Sequence, residues 1–131
     1  MTGSEPVVAR EPQGPQREVD ATLFTYLLRH ADDNLVLAQR LGEWISSGPE
    51  LEEDIALTNV GIDFLGQARA IYTYAASVEG EGRTEDDLAM LRPEREFTNC
   101  LLVEQPNGDF AQTMARQLFF DAYQLSLWEA L

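Results

Sequence analysis

Two helix-period runs joined at one break constrain the fold of this chain more than any other feature. From Asp20, read as an N-cap, apolar residues recur at Leu23, Leu27, Ala31, Ala38, Leu41 and Ile45, a single stripe at helical spacing. Asp32, Gln39 and Glu43 fall on the opposite side. The run ends at Ser46-Ser47-Gly48-Pro49, where glycine and proline do not continue a helix. The second run opens with Glu50, Glu52, Glu53 and Asp54, which suit the positive end of a helix dipole, and continues to about Val78. Leu57, Val60, Phe64, Ala68, Ile71 and Ala75 line one side of it, with Ile55, Ile62, Leu65 and Tyr72 nearby. A helix apolar over most of its circumference needs several neighbours, so it is expected at the centre of a bundle, with Gly61 and Gly66 permitting close backbone approach.

Gly80-Glu81-Gly82 interrupts the pattern, and Thr84 with Asp87 resembles a capping box that opens a short helix to about Leu91, before Pro93. Residues 94–105 contain the apolar run Cys100-Leu101-Leu102-Val103, read as a helical turn. Pro106-Asn107-Gly108-Asp109 is a turn and capping signal for a third long helix from Phe110. Its expected inward face is Ala111, Met114, Leu118, Ala122, Leu125 and Trp128, and it runs to the last residue without a stop signal. Strand-like alternation is missing, so the fold class is all-α. Three long amphipathic helices leave a groove where a fourth would complete a bundle. Either the chain is a fragment or a partner fills that groove.

A length of 131 residues suits one domain, expected over residues 19–131, after a leader at 1–18 that holds three of the six prolines and is read as disordered. The leader has no apolar run long enough for a signal peptide or a membrane span, so no membrane partner is expected. Nine arginines, no lysine and 23 acidic residues give a net charge of −14, which repels phosphate backbones and argues against a nucleic-acid partner. A solvated surface is the leading reading of that charge, with a basic partner protein or a cation as alternatives. The single cysteine, Cys100, excludes an internal disulfide or a multi-cysteine zinc site, suits a cytoplasmic location and is assigned to packing.

The polar residues that helical periodicity turns inward are the candidates for chemistry. Asn34 falls in the apolar stripe of the first helix, with His30 one turn earlier. Gln67 lies beside Phe64 at the edge of the second helix's apolar face, and Asp121 sits among Leu118, Leu125 and Trp128. Di-iron bundles need a Glu on two helices and a Glu-x-x-His pair on each of two others. This chain has no Glu-x-x-His, and its one histidine has Tyr26 and Leu27 on the turn before it. One carboxylate, two amides and one imidazole are poor material for a redox metal, and a hydrogen-bonded internal network outweighs ligation. Glu43 and Asp63 read as solvent or interface charge. No nucleophilic triad or phosphate loop is present, and Tyr72, Tyr74, Phe119, Phe120 and Tyr123 read as core. No catalytic, cofactor or metal residue is therefore assigned.

The segments Leu35-Val36-Leu37-Ala38-Gln39-Arg40-Leu41-Gly42-Glu43-Trp44, Pro49-Glu50-Leu51-Glu52-Glu53-Asp54-Ile55-Ala56-Leu57 and Gly61-Ile62-Asp63-Phe64-Leu65-Gly66-Gln67-Ala68-Arg69 resemble the PaaC-type structural subunits of bacterial phenylacetyl-CoA epoxidases, which are multicomponent di-iron monooxygenases. The likeness continues through residues 82–88, 95–97, 103–110 and 120–125. It implies a ferritin-like helical fold, with only three long helices of the four-helix core present in a chain shorter than its family. It also implies a hetero-oligomer with a catalytic subunit that holds the di-iron centre and binds the CoA thioester, and no cofactor in this chain. In that catalytic relative a first-helix Glu and a second-helix Glu-x-x-His fall where this chain has Asn34 and Phe64-Leu65-Gly66-Gln67, so the positions of lost ligands are Asn34, Phe64 and Gln67. His30 and Asp121 are the retained inward polar residues. The expected function is a non-catalytic scaffold subunit of the oxygenase. The rivals are a metal-binding ferritin-like oxidoreductase completed by dimerisation through Asp121, Glu43 or His30, and a self-associating helical module.

Overall fold

A computed structural model describes Gly3 and residues 14–131, and the described residues are helical and connecting segments with no strand. Five α-helices follow one another: α1 (Pro15–Gly42), α2 (Leu51–Glu79), the short α3 (Glu85–Met90), the one-turn α4 (Leu101–Glu104) and α5 (Phe110–Ala130), with a 3₁₀ turn at Glu94–Glu96 between α3 and α4. Three long helices in an all-α fold match the ferritin-like expectation. No helix among the described residues is long and apolar enough to cross a membrane.

α1 starts five residues before Asp20, because Pro15 opens its first turn, where a missing N–H costs nothing. Residues 15–18 of the expected leader are therefore helical. The rest of that leader, Gly3 and Gly14 apart, lies outside the described residues. At its other end α1 stops at Gly42, so Ile45 falls in the following turn and is exposed. The break admits no side chain at Gly48, since a Cβ there would meet the Asp54 backbone at 2.9 Å. Asp54 in turn accepts the Gly48 N–H at 3.4 Å.

After this reversal α2 runs back along α1, and the pair forms the main packing surface. Near the start of α2, Leu37, Leu41, Leu57 and Phe64 cluster with Val103 and Phe120. Further along, Ala31 and Leu35 pack with Ala68, Tyr72, Ala75 and Leu88. Gly61 is buried against Leu41 and the Ala38 carbonyl, whereas Gly66 faces open space, so only the first of the two expected close approaches is present. α2 is covered on one side only: Ile55, Ile62, Leu65 and Tyr74 are exposed. The expectation of a helix surrounded by neighbours is corrected accordingly.

Asp20 lies inside α1 and caps nothing, but the two later capping signals read in the sequence are in place. Thr84 and Asp87 form the reciprocal capping box of α3, and the Asp109 carboxylate accepts the Gln112 N–H at 2.8 Å to open α5. The inward face of α5 differs from expectation. Thr113, Gln117, Phe120 and Gln124 are buried, while Leu118, Leu125 and Trp128 are exposed. Of the five aromatics assigned to the core, Tyr72 and Phe120 are buried and Tyr74, Phe119 and Tyr123 are exposed.

Candidate functional site

The middle of α1 is where polar side chains and burial coincide. His30, Ala31, Asp32, Asp33, Asn34 and Leu35 are consecutive and all buried, so every side of the helix is covered at this level. Periodicity cannot produce that pattern from one packing face. The cover comes from α2, from α5 and from the segment connecting α3 to α4.

Asn34 points inward as expected. Its Nδ2 donates to the His30 carbonyl at 2.8 Å and its Oδ1 accepts from Gln124 Nε2 at 2.9 Å, which joins α1 to α5. Both functional atoms of the amide are thereby paired, as a buried polar group requires. His30 packs edge-on to Tyr26 at 4.4 Å and lies 6.2 Å from the Trp128 ring. Burial lowers its pKa from 6.5, opposed by the Asp33 charge.

The position of Asp32 opposite the apolar stripe predicts solvent exposure, and the structure instead buries it completely. Arg92, also buried, forms an ion pair with it, and the Tyr72 hydroxyl donates to the same carboxylate. Thr98 N–H completes the set at 3.0 Å. Arg92 is held in turn by the Leu88 carbonyl, by the Glu96 carbonyl at 3.0 Å and by the Phe97 ring, 4.4 Å below its guanidinium. Burial, and then the Asp32 carboxylate, push the Tyr72 phenol pKa upward, so the phenol stays a donor. One residue along, Asp33 accepts the Cys100 N–H at 2.6 Å, and burial raises its pKa above 3.8. Cys100 itself is exposed, which corrects its assignment to packing.

The remaining sequence candidates do not join these groups. Phe64 is buried edge-on to Phe120, with ring centroids 5.7 Å apart. Gln67 is exposed, contrary to its inward assignment. Asp121 is also exposed; it accepts from Gln117 Nε2 at 2.8 Å, and partial burial raises its pKa. Glu43 is exposed and bridges Arg40 Nη1 at 3.3 Å and Asn107 Nδ2 at 3.0 Å, tying the end of α1 to the turn before α5. Asp63 lies in the exposed polar strip.

A pair of iron ions needs several carboxylates and imidazoles converging on one point. Here the central amide is committed to two partners, the buried carboxylate Asp32 is neutralised by an arginine, and Asp121 stands at the surface. That donor set does not fit a di-iron centre. The one group of three potential ligands brought close together among the described residues is Glu50, Glu52 and Glu53, mostly exposed at the start of α2.

Sequence reasoning thus found Asn34 and His30 but missed Asp32, Asp33, Tyr72, Arg92 and Gln124. A usable signal was present in the adjacent pair Asp32-Asp33, carboxylates in mid-helix far from either end, where the dipole gives them no support.

The chain matches the family described as phenylacetic acid catabolic protein over residues 7–131. It is 58% identical over 109 residues to the C component of the 1,2-phenylacetyl-CoA epoxidase of Escherichia coli strain K12, an alignment that covers 83% of this chain and 44% of that relative. The chain thus spans less than half the length of the relative.

Proposed function

This chain belongs to the phenylacetic acid catabolic protein family, and on that footing we propose that it is a non-catalytic scaffold subunit of a phenylacetyl-CoA monooxygenase in phenylacetate degradation. In this reading it packs its helices against a separate catalytic subunit, which holds the di-iron centre and binds the CoA thioester. The reaction so supported inserts one atom of dioxygen into the aromatic ring, the other leaving as water, with electrons from a reductase component. The chain's own contribution is mechanical: it presents a shaped helical surface and holds that surface rigid.

The observation that carries the reading is the closed pairing at mid α1. The Asn34 amide is bonded to Gln124 and His30, and the Asp32 carboxylate is bonded to Arg92, Tyr72 and Thr98. These partners engage the Asn34 amide and the Asp32 carboxylate in cross-linking elements of the fold, as structural polar networks do.

Sedimentation of the purified chain, alone and mixed with the iron-loaded catalytic subunit, tests the proposal when metal is determined on each species. A mixed complex whose iron belongs to the catalytic subunit is expected. Absence of a complex, or iron bound by the isolated chain at about one ion or more, where di-iron chemistry needs two per site, would overturn it.

A further inference from the structure

Arg116, on the buried side of α5, is a cation with no counter-charge in contact. The residue is 5% exposed, and no carboxylate among the described residues forms an ion pair with it. Its Nη1 donates to the Gln105 carbonyl at 3.0 Å, whereas Nε and Nη2 are buried and have no hydrogen-bond partner among the described residues. A buried charge left uncompensated is strongly destabilising, so these two nitrogens call for a ligand. Burial, and then the charge of Arg40, pull the Arg116 pKa below its usual value, with Glu43 opposing. Glu43 is itself committed to Arg40 and Asn107.

Which two nitrogens are free sets what fits them. Nε and Nη2 lie on one edge of the guanidinium plane, and their N–H groups form the fork that matches the two oxygens of a carboxylate. This chain shows the match at Arg83, where the same pair holds Glu79, Nε donating to Oε1 at 2.7 Å and Nη2 to Oε2. Arg116 presents the same fork, and its Nη1 is anchored to Gln105, so the plane is held before any ligand arrives. Arg40 brings a second positive charge close by. It donates to the Glu104 carbonyl at 2.8 Å, one residue from the carbonyl that anchors Arg116, and its Nε is likewise buried without a partner among the described residues.

We propose that the Arg116 fork is a binding site for a small carboxylate anion, whose two oxygens accept from Nε and Nη2 while Arg40 supplies positive charge beside them. Both fork nitrogens are sealed from solvent, so the ligand is of formate or acetate size and enters as Arg40 moves. The Arg40 side chain is 31% exposed and lines a half-open cleft of about 640 Å³ with Val36, Gln39 and Glu104, which leaves it room to swing outward. The net charge of −14 opposes anions at long range, but salt screens that field beyond about 8 Å at physiological ionic strength. Inside that distance the unpaired charge of Arg116 is the one the ligand meets.

Formate binding is measured by titration calorimetry and by thermal unfolding for wild type, Arg116→Met, Arg116→Lys and Arg83→Lys, with sodium chloride holding the ionic strength constant. Circular dichroism verifies that each variant is folded; should Arg116→Met fail to fold, Arg116→Lys, which keeps the charge and loses the fork, carries the comparison. Wild type is expected to bind formate and to unfold at a higher temperature in formate than in chloride. Arg116→Lys should bind at least about tenfold more weakly, because it gives up one charge-assisted hydrogen bond, and Arg116→Met should not respond. Arg83→Lys, whose wild-type fork is already filled by Glu79, should bind formate like wild type. A water molecule serving the fork would leave wild type indifferent to the exchange of formate for chloride, and that result overturns the proposal. So does formate binding that is as tight in Arg116→Lys as in wild type, or that is weakened equally in Arg83→Lys and Arg116→Lys.

Discussion

Replacing Arg92 with methionine tests the interior in the most direct way. The substitution keeps an unbranched apolar stem and removes the guanidinium, so Asp32 stays fully buried with the Tyr72 hydroxyl and the Thr98 N–H as its remaining partners. It also frees the carbonyls of Leu88 and Glu96 and removes the stacking on Phe97. Leaving one member of a buried ion pair uncompensated costs about 3–5 kcal/mol, a large part of the stability of a domain this size. With a urea m-value of about 2 kcal/mol per molar, the unfolding midpoint should fall by about 2 M. Asp32→Leu combined with Arg92→Met should be less damaging than the sum of the two single changes, with a coupling of more than about 1 kcal/mol, because no buried charge then remains alone. The measurement is a double-mutant cycle in urea. A loss below about 1 kcal/mol for Arg92→Met, or strict additivity in the cycle, would refute the claim that charge pairing holds this region together.

Asn34→Leu should destabilise the protein by about 1–3 kcal/mol, because Gln124 loses its buried partner; thermal unfolding at unchanged or higher temperature would contradict the paired network. His30 has a folded-state pKa below 6.5, so the unfolded chain takes up the proton first as pH falls; its contribution to stability should decline as pH drops from about 6.5 toward the folded value, and His30→Phe should flatten that part of the profile. Asp33 acts in the opposite direction. Its raised pKa means the unfolded chain ionises first, so its contribution weakens as pH rises from 3.8 to the folded value, which a comparison with Asp33→Asn in acid denaturation would detect. Gly48→Ala forces a Cβ to within 2.9 Å of the Asp54 backbone and should cost at least about 1 kcal/mol, as other strained substitutions do; wild-type stability would mean that the turn can shift.

The break after α1 and the starts of α3 and α5 were legible because their signals are local, whereas both ends of α1 fall away from where the sequence placed them. The Gly48-Pro49 break, the Thr84–Asp87 box and the Asp109 cap each act within a few residues, and each occurs where the sequence places it. What periodicity could not supply was the rotation of α5. Its most apolar stripe contains Leu118 and Leu125, yet the face turned inward carries Phe120, which meets Phe64, and Gln124, which meets Asn34. A reading that buries the greasiest face has no way to weigh one amide partner on another helix. The same limitation explains Asp121, expected inside with that stripe and found outside with it. Asp32 failed for a different reason. Its side of α1 is polar in the sequence, but residues 92–98 pass over it, and a connecting segment leaves no periodic trace.

The two carboxylates at Asp32 and Asp33 take hold of that passing segment by its main chain, accepting the N–H groups of Thr98 and Cys100. A main-chain N–H is common to every amino acid except proline. α1 therefore fixes the connecting chain by two kinds of hold: a side-chain one at Arg92, with the Thr98 hydroxyl 3.5 Å from Asp32, and a main-chain one at residues 98 and 100 that any residue but proline can supply. Toward its Cys100 end, where the grip is on the backbone, the crossover can thus change its outward side chain while its path holds, whereas at Arg92 path and side chain are tied together.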